Sequence, residues 1–353
     1  MVTLPIKVYK DTWYNCVANV LIGILQGKYP HKNIENFLTN HINGNYFITP
    51  SIIDDYFDTW HLNKGYFSVQ VHYNVDVLFD LFDKKDNKYI NVASTFEFVR
   101  ESITNGDYCS IPLDRYYFPN GVDHNNYHLV HPVFIYGYDD LERVFYIIDD
   151  VMAYGNQDYY KLPYEDFIKS VISVFESGIE PFIFERGLDK LRSVKLKGFS
   201  EDVEMTKDNC KNNFEKILKY EKSGPTDINT YKLYGIEAIA KYAEIIEQAL
   251  PELEDVINFK FISSQPLYLQ KKNIDKIHFL HSLGVLDNPE HEYFSDKFIT
   301  IYKQWELFRN KAWYYIEKGI HRTSNTNKVL AKSLTAIYSL EKETYLQVLE
   351  KLK

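Results

Sequence analysis

Only three cysteines occur in the 353 residues, at positions 16, 109 and 210. An odd number at such wide spacing builds neither a disulfide framework nor a zinc knuckle, so each thiol is expected to be either buried or reactive. No HExxH or CxxC pattern accompanies the 11 histidines, so spacing points to no metal site, and no cofactor is expected. Long lysine or arginine runs are missing too, and a net charge of -9 lacks the electrostatic footprint of a nucleic-acid binder. No window approaches the roughly 18 uncharged apolar residues of a membrane span. The opening stretch MVTLPIKVYK holds no apolar run of signal-peptide length. The expectation is a soluble, cytoplasmic protein without membrane or nucleic-acid partners. Internal repeats and low-complexity tracts are also absent.

What is present is apolar and aromatic material. Hydrophobic residues make up 45% and aromatics 16%, with 30 Tyr and 23 Phe, enough for real cores and for pockets lined with rings that carry a polar edge. Val17, Val20, Leu21, Ile24 and Leu25 follow the spacing of a helix packed on one face, ended by Gly27 and Pro30. Further helices are expected over Asn33–Ile42 and from Thr49 to Trp60, the latter with Pro50 in its first turn. Short β-rich runs follow at 66–73, 108–113, 131–138 and 143–149, and another at 179–186. Pro132–Tyr138 and Val144–Ile148, joined by an acidic turn, read as a hairpin. After about Lys197 the pattern turns helical, with stripes Ile236, Ile239, Ala240, Ala243, Ile246 and Phe298, Ile301, Tyr302, Trp305, Phe308, Trp313, Ile316. The reading is an α+β domain over residues 1–190 followed by a mainly α-helical domain over 200–353.

Cys16 stands at the head of the first helix, where unpaired N–H groups and the helix dipole favour a thiolate and could hold an oxyanion. A nucleophilic thiolate needs a base, and the base needs an orienting partner. His131 opens one hairpin strand and Asp149 closes the other, so both fall at one edge of the sheet. Adjacent strand residues face opposite ways, so only one of Asp149 and Asp150 can meet His131, and Asp149 is the expected one. Cys109, inside a strand, reads as core, and Cys210 as incidental.

The segment SIPLDRYYFPNGVDHNNYHLVHPVFIYGYDD, Ser110 to Asp140, resembles the butirosin biosynthesis protein H family. Leu113, Asp114, Tyr116, Tyr117, Pro119, His128, His131, Gly137, Tyr138 and Asp139 match its pattern of an Asp-Tyr-Tyr-Pro stretch, two histidines three apart and a Gly-Tyr-Asp. The resemblance implies a papain-like cysteine-peptidase-type N-terminal domain with a helical C-terminal half. It also implies an acyltransferase that moves an acyl or aminoacyl group from an acyl carrier protein thioester to a small-molecule amine. Carried over, Cys16 would be the nucleophile, His131 the base and acid, and Asp149 its partner. Tyr14, Asn15, Asp114, His128 and Tyr138 would be candidates for substrate binding or the oxyanion. The family usually has His where this chain has Asn15, and a Gly-rich stretch where it has NHINGNYFITP. Of the two histidines, His131 is preferred as base because it opens the hairpin; Asp114 and Arg115 are expected to shape the pocket or pair with each other.

The same triad would serve a thioesterase, an amide hydrolase or a cyclase, because only water exclusion and the acceptor pocket separate them. A non-catalytic papain-like binding protein is the alternative from another class, and would show a buried Cys16 without polar neighbours. Docking of an acidic carrier protein calls for a basic face, which Leu188–Gly198 and Leu267–Lys276 are expected to supply.

Overall fold

The computed structural model describes residues 1–48, 69–87, 91–176, 191–199, 206–223, 232–252, 259 and 262–353. In chain order its elements begin β1 (Val2–Thr3), α1 (Cys16–Lys28), α2 (Ile34–His41), β2 (Asn43–Ile48), β3 (Gln70–Asn74), α3 (Asp76–Asp80), β4 (Phe82–Asn87), α4 (Val92–Thr104) and β5 (Tyr108–Asp114). Then come β6 (Val130–Asp139), β7 (Val144–Asp149), β8 (Asp158–Pro163), α5 (Tyr164–Glu176), β9 (Leu191–Leu196), α6 (Lys207–Leu218), β10 (Glu221–Ser223) and β11 (Lys232–Tyr234). The described chain closes with α7 (Glu237–Ala249), α8 (Gln265–Ser282), α9 (Asn288–Glu317) and α10 (Ser324–Lys351). The helix expected over Thr49–Trp60 and the strand expected over 179–186 lie outside the described residues.

The chain is mixed α and β and forms two compact units, one of Met1–Ile34 with Val75–Asp202, the other of Glu35–Asn74 with Val203–Lys353. This corrects the contiguous boundaries read from sequence. Residues 35–74 belong with the second unit because β2, placed in the first domain by sequence, pairs with β11 from beyond residue 200. Long-range pairing of this kind leaves no local signature.

In the first unit the strands run in the order β4-β9-β5-β6-β7-β8, with β1 added beside β6. All seven residues of β5 and all six of β7 are buried, so both faces of the sheet centre are covered. Cys109, Ile111, Val133, Ile135, Phe145 and Ile147 share one core with Val99 and Ile103 of α4 and Phe167 and Val171 of α5. β6 passes from β5 to β1 at a register irregularity between Ile135 and Gly137. A Cβ on Gly137 would lie 2.6 Å from the Val2 carbonyl oxygen, which accounts for that glycine.

Helix α1 departs from its expected one-faced pattern: every residue from Cys16 to Leu25 is buried. The chain before it crosses the helix at contact distance, Lys7 N–H donating to the Gly23 carbonyl at 3.0 Å. Gly27 does not end the helix, which runs on to Lys28; it admits Ile6, whose backbone N would lie 2.5 Å from an added Cβ. At Gly23 the added Cβ would meet the Lys7 carbonyl oxygen at 2.1 Å. Gly23→Ala is therefore expected to cost about 1–3 kcal/mol through backbone displacement, against a gain of up to about 1 kcal/mol in an unconstrained helix. A raised urea midpoint would contradict the crossing.

The second unit carries a four-stranded sheet in the order β10-β11-β2-β3 besides its helices, so two strands, β10 and β11, stand where the pattern after residue 200 reads as helical. Its strands are three to six residues long, too short to show alternation. Of the two predicted stripes, Ile236, Ile239, Ile246, Phe298, Ile301, Trp305, Phe308 and Ile316 are buried. Inside this unit Glu341 is fully buried and accepts hydrogen bonds from Tyr46 Oη, at 2.9 and 3.0 Å to its two oxygens, and from Trp305 Nε1. Burial pushes its pKa up to about 7 from an ordinary 4.5. The folded state therefore holds a proton that the unfolded chain releases. Stability contributed by protonated Glu341 is complete below pH 4.5 and lost as pH rises toward about 7, on the order of 3 kcal/mol. Denaturation series at pH values on either side of that window should show the loss, and Glu341→Gln should flatten it.

Candidate active site

Asn15 begins the site. Its backbone is extended and its side-chain oxygen accepts from Ala18 N–H at 2.7 Å, capping α1 and leaving Cys16 as the first helical residue. The N–H groups of Cys16 and Val17 lie at the open end of the helix, where the dipole favours negative charge. Asn19, a polar residue in an otherwise apolar stretch, is 1% exposed. Its side chain accepts from Tyr14 N–H at 3.0 Å and donates to the Thr12 carbonyl at 2.9 Å, fixing the chain that leads into Cys16. Gln157 donates from Nε2 to the Cys16 carbonyl at 2.5 Å. Neither was singled out from sequence; Asn19 could have been, as a lone polar position in a helix buried on all sides, whereas nothing local marks Gln157.

His131 and Asp149 meet as diagonal neighbours across the hairpin. Phe134 pairs with Ile148, so Asp149 stands next to Val133, on the face His131 shares, within the reach of diagonal cross-strand pairs. His131 Nδ1 lies 3.4 Å from Asp149 Oδ2, and the ring hydrogen-bonds the Cys16 thiol. The three residues named from sequence thus form a contact chain from Cys16 through His131 to Asp149.

Asp150 turns the other way, as strand alternation requires. It joins a buried ion cluster centred on Arg115, which is 1% exposed. Nη1 of Arg115 is 2.7 Å from Asp150 Oδ1 and 3.9 Å from Asp149 Oδ1, while Nε is 3.0 Å from Asp123 Oδ2. Tyr154 donates to Asp123, and Gly155 N–H donates to Asp150 at 2.7 Å. Burial raises Asp150's pKa and the neighbouring Asp149 raises it further. Burial acts the same way on Asp149, but the charges of His131 and Arg115 outweigh it and hold that carboxyl below its usual range. One ligand atom from each of His131, Asp149 and Asp150 falls within 4.8 Å of the others, a spacing open to a metal ion. The cation these carboxylates hold is the Arg115 guanidinium.

The thiol itself differs from the sequence expectation. Cys16 is 8% exposed, and burial raises its pKa by more than the His131 hydrogen bond and charge lower it. For His131, burial depresses the pKa, but Asp149 and the thiol together carry it well above 6.5. Burial thus opposes the thiolate, while Asp149 favours the cationic form of His131. Iodoacetamide alkylation of Cys16 is expected to be slow at neutral pH and to keep climbing with pH beyond the ordinary thiol range. A plateau already near neutrality, in a pH series read by intact mass, would mean a preformed thiolate.

The other expected site residues make the following contacts. Tyr14 is buried and stacks on Tyr9 at 6.2 Å. Asn15 uses its side-chain oxygen as a helix cap. His128 pairs through Nδ1 with Asp114 Oδ2 at 2.6 Å and stacks on Tyr116 at 4.1 Å. Asp114 also accepts from Ser173 Oγ at 2.6 Å. These two candidates meet each other and not Cys16. Arg115 faces Asp123, Asp149 and Asp150 and not Asp114, because Asp114 caps the turn at Tyr116. Tyr138 sits seven residues along β6 from His131, roughly 23 Å away at about 3.3 Å per residue. It packs under Arg100 and meets Thr104 Oγ1 at 3.1 Å. Cys109 and Cys210 are both wholly buried, and burial pushes the Cys210 thiol up to about 11.

Of the stretches expected to form a basic face, residues 188–190 lie outside the described residues and Lys271 is exposed. Lys272 and Lys276 are buried, Lys272 against Glu35 at 2.8 Å. Lys195 and Lys197 are exposed but face Asp107 at 4.0 Å and Asp83 at 3.5 Å. No helix among the described residues is long and apolar enough to cross a membrane. No protein-family profile matches the chain, and no curated protein matches it.

Proposed function

We propose that the chain is a cysteine-nucleophile acyltransferase on a papain-like domain, moving an acyl or aminoacyl group from a thioester through a Cys16 acyl-enzyme to an amine acceptor. The observation that carries this reading is the contact chain Cys16–His131–Asp149 at the capped end of α1. His131 takes the thiol proton as Cys16 attacks the thioester carbonyl. The N–H groups at the helix end receive the oxyanion, and the leaving thiol takes the proton back from His131. In the second half His131 removes a proton from the amine, and collapse of the tetrahedral adduct frees Cys16. Asp149 keeps the imidazole oriented and stabilises its cation. Hydrolysis or cyclisation would follow the same first half-reaction and differ in what resolves the acyl-enzyme. The donor is proposed as a carrier-protein thioester on the resemblance alone.

A second reading, a binding protein without chemistry, draws on the burial of Cys16. Its polar contacts with His131 argue the other way. Intact-protein mass spectrometry after incubation with a panel of acyl thioesters separates the two. An adduct present in wild type and Cys109→Ala but missing in Cys16→Ala supports covalent catalysis, and its mass identifies the acyl group. No adduct with any donor, together with a Cys16 that iodoacetamide reaches only after denaturation, favours the binding protein.

A further inference from the structure

We propose that Gln157 is a positioning residue, one that acts through the backbone of Cys16 to hold its thiol within hydrogen-bond reach of His131. That role rests on the reading of Cys16 as the nucleophile. Gln157 is 3% exposed and donates from Nε2 to the Cys16 carbonyl at 2.5 Å, joining residues 141 apart in the chain. It stands immediately before Asp158, the residue of β8 that pairs with Asp149 of β7. One end of the contact is therefore the nucleophile's own backbone, and the other is one residue from the strand partner of the aspartate that orients the base.

The loop between β7 and β8 is braced where Gln157 leaves it. Gly155 N–H donates to Asp150 Oδ2 at 2.7 Å, Asn156 N–H to the Ala153 carbonyl at 3.0 Å, and Val122 N–H to the Val151 carbonyl at 2.9 Å. Asp150 is in turn held by Arg115 at 2.7 Å. The first turn of α1 is thereby tied to the hairpin edge that carries Asp149, and His131 is in contact with both Asp149 and the thiol.

Folding alone does not ask for a glutamine at this position. A carbonyl oxygen can be met only by a donor, so the amide must turn Nε2 toward Cys16. That leaves Oε1 buried, with no hydrogen-bond partner among the described residues, at a cost to stability. The Cys16 carbonyl would not be orphaned without Gln157, because in the first turn of α1 it accepts from the N–H of Val20, four residues on. An apolar residue of similar size would remove the orphan oxygen and create no new one. A buried polar side chain kept against stability, one hydrogen bond from the nucleophile, is the pattern of a functional position.

The test is Gln157→Leu in the full chain. Its urea midpoint should equal or exceed that of wild type, because the orphan oxygen is gone. The hydrogen bond and charge of His131 lower the thiol pKa, so a loosened contact should move the pH profile of iodoacetamide alkylation, read at Cys16 by peptide mass, upward by about one pH unit. At a fixed pH below the thiol pKa that is about a tenfold slower reaction. With the N-acetylcysteamine thioester of acetate as donor, the maximal acylation rate should fall about 100-fold, the loss expected from a misplacement of about 1 Å, with little change in the half-saturating concentration. Gln157→Met, unbranched and without a donor, repeats the test in case leucine packs poorly. A profile that stays in place in both variants overturns the positioning role whatever the acylation rates do, and so does a shift that only accompanies a lower midpoint. Should no thioester acylate the wild type, the acyl-transfer reading falls, while the alkylation profile still decides for or against Gln157.

Discussion

Asp149→Asn is expected to slow acyl transfer through Cys16 by about four orders of magnitude, the loss seen when a triad aspartate becomes its amide. An amide at 149 removes the charge that carries His131 well above its ordinary pKa and can hold the ring in the wrong tautomer. The fold should survive, because Arg115 keeps its closer carboxylate partners, Asp123 at 3.0 Å and Asp150 at 2.7 Å. Asp150→Asn should cost far less, since that side chain faces Arg115 and Gly155 rather than His131. Single-turnover rates of thioester acylation for the two variants decide the point. Equal losses would show that the two aspartates act on the histidine as one unit.

Arg115→Met should be the most destabilising single change in the first unit, by about 3–5 kcal/mol, because removing one partner from a buried ion cluster leaves charge uncompensated. Here one guanidinium serves three carboxylates, all within 4.0 Å of it and all nearly inaccessible. Without it the buried acids would bind protons more tightly in the folded than in the unfolded state. The variant should therefore regain stability as pH falls through the carboxylate range and lose it as pH rises, a slope obtained by linkage. Chemical denaturation at acidic and neutral pH measures it. A wild-type midpoint at neutral pH would show that the aspartates need no cation.

The positively charged His131 has a similar consequence. Its folded-state pKa lies well above 6.5, so its contribution to stability is complete below that value and fades as pH rises through the folded pKa. In the proposed enzyme Asp149 thus favours the imidazolium that forms when neutral His131 takes the thiol proton, and substrate binding has to offset the burial that opposes the thiolate. Water exclusion at a buried nucleophile and the oxyanion donors of α1 are the means the structure offers.

Sequence alone determined the local parts of this protein. A capped apolar helix with cysteine first, a hairpin with His131 and Asp149 at one edge, and the face choice between Asp149 and Asp150 all follow from periods of 3.6 and 2 and from chain reversal at a turn. Within those rules Cys16, His131 and Asp149 could be named together. Only the tertiary structure decided the rest. The pairing of β2 with β11 moved residues 35–74 into the second unit. The turn at Tyr116 sent Asp114 to His128 and Arg115 to three aspartates. Burial on all sides of α1 reversed the expected lowering of the thiol pKa. Each depends on which distant segments share a neighbourhood, and desolvation and ion pairing are set by that neighbourhood rather than by the order of residues along the chain.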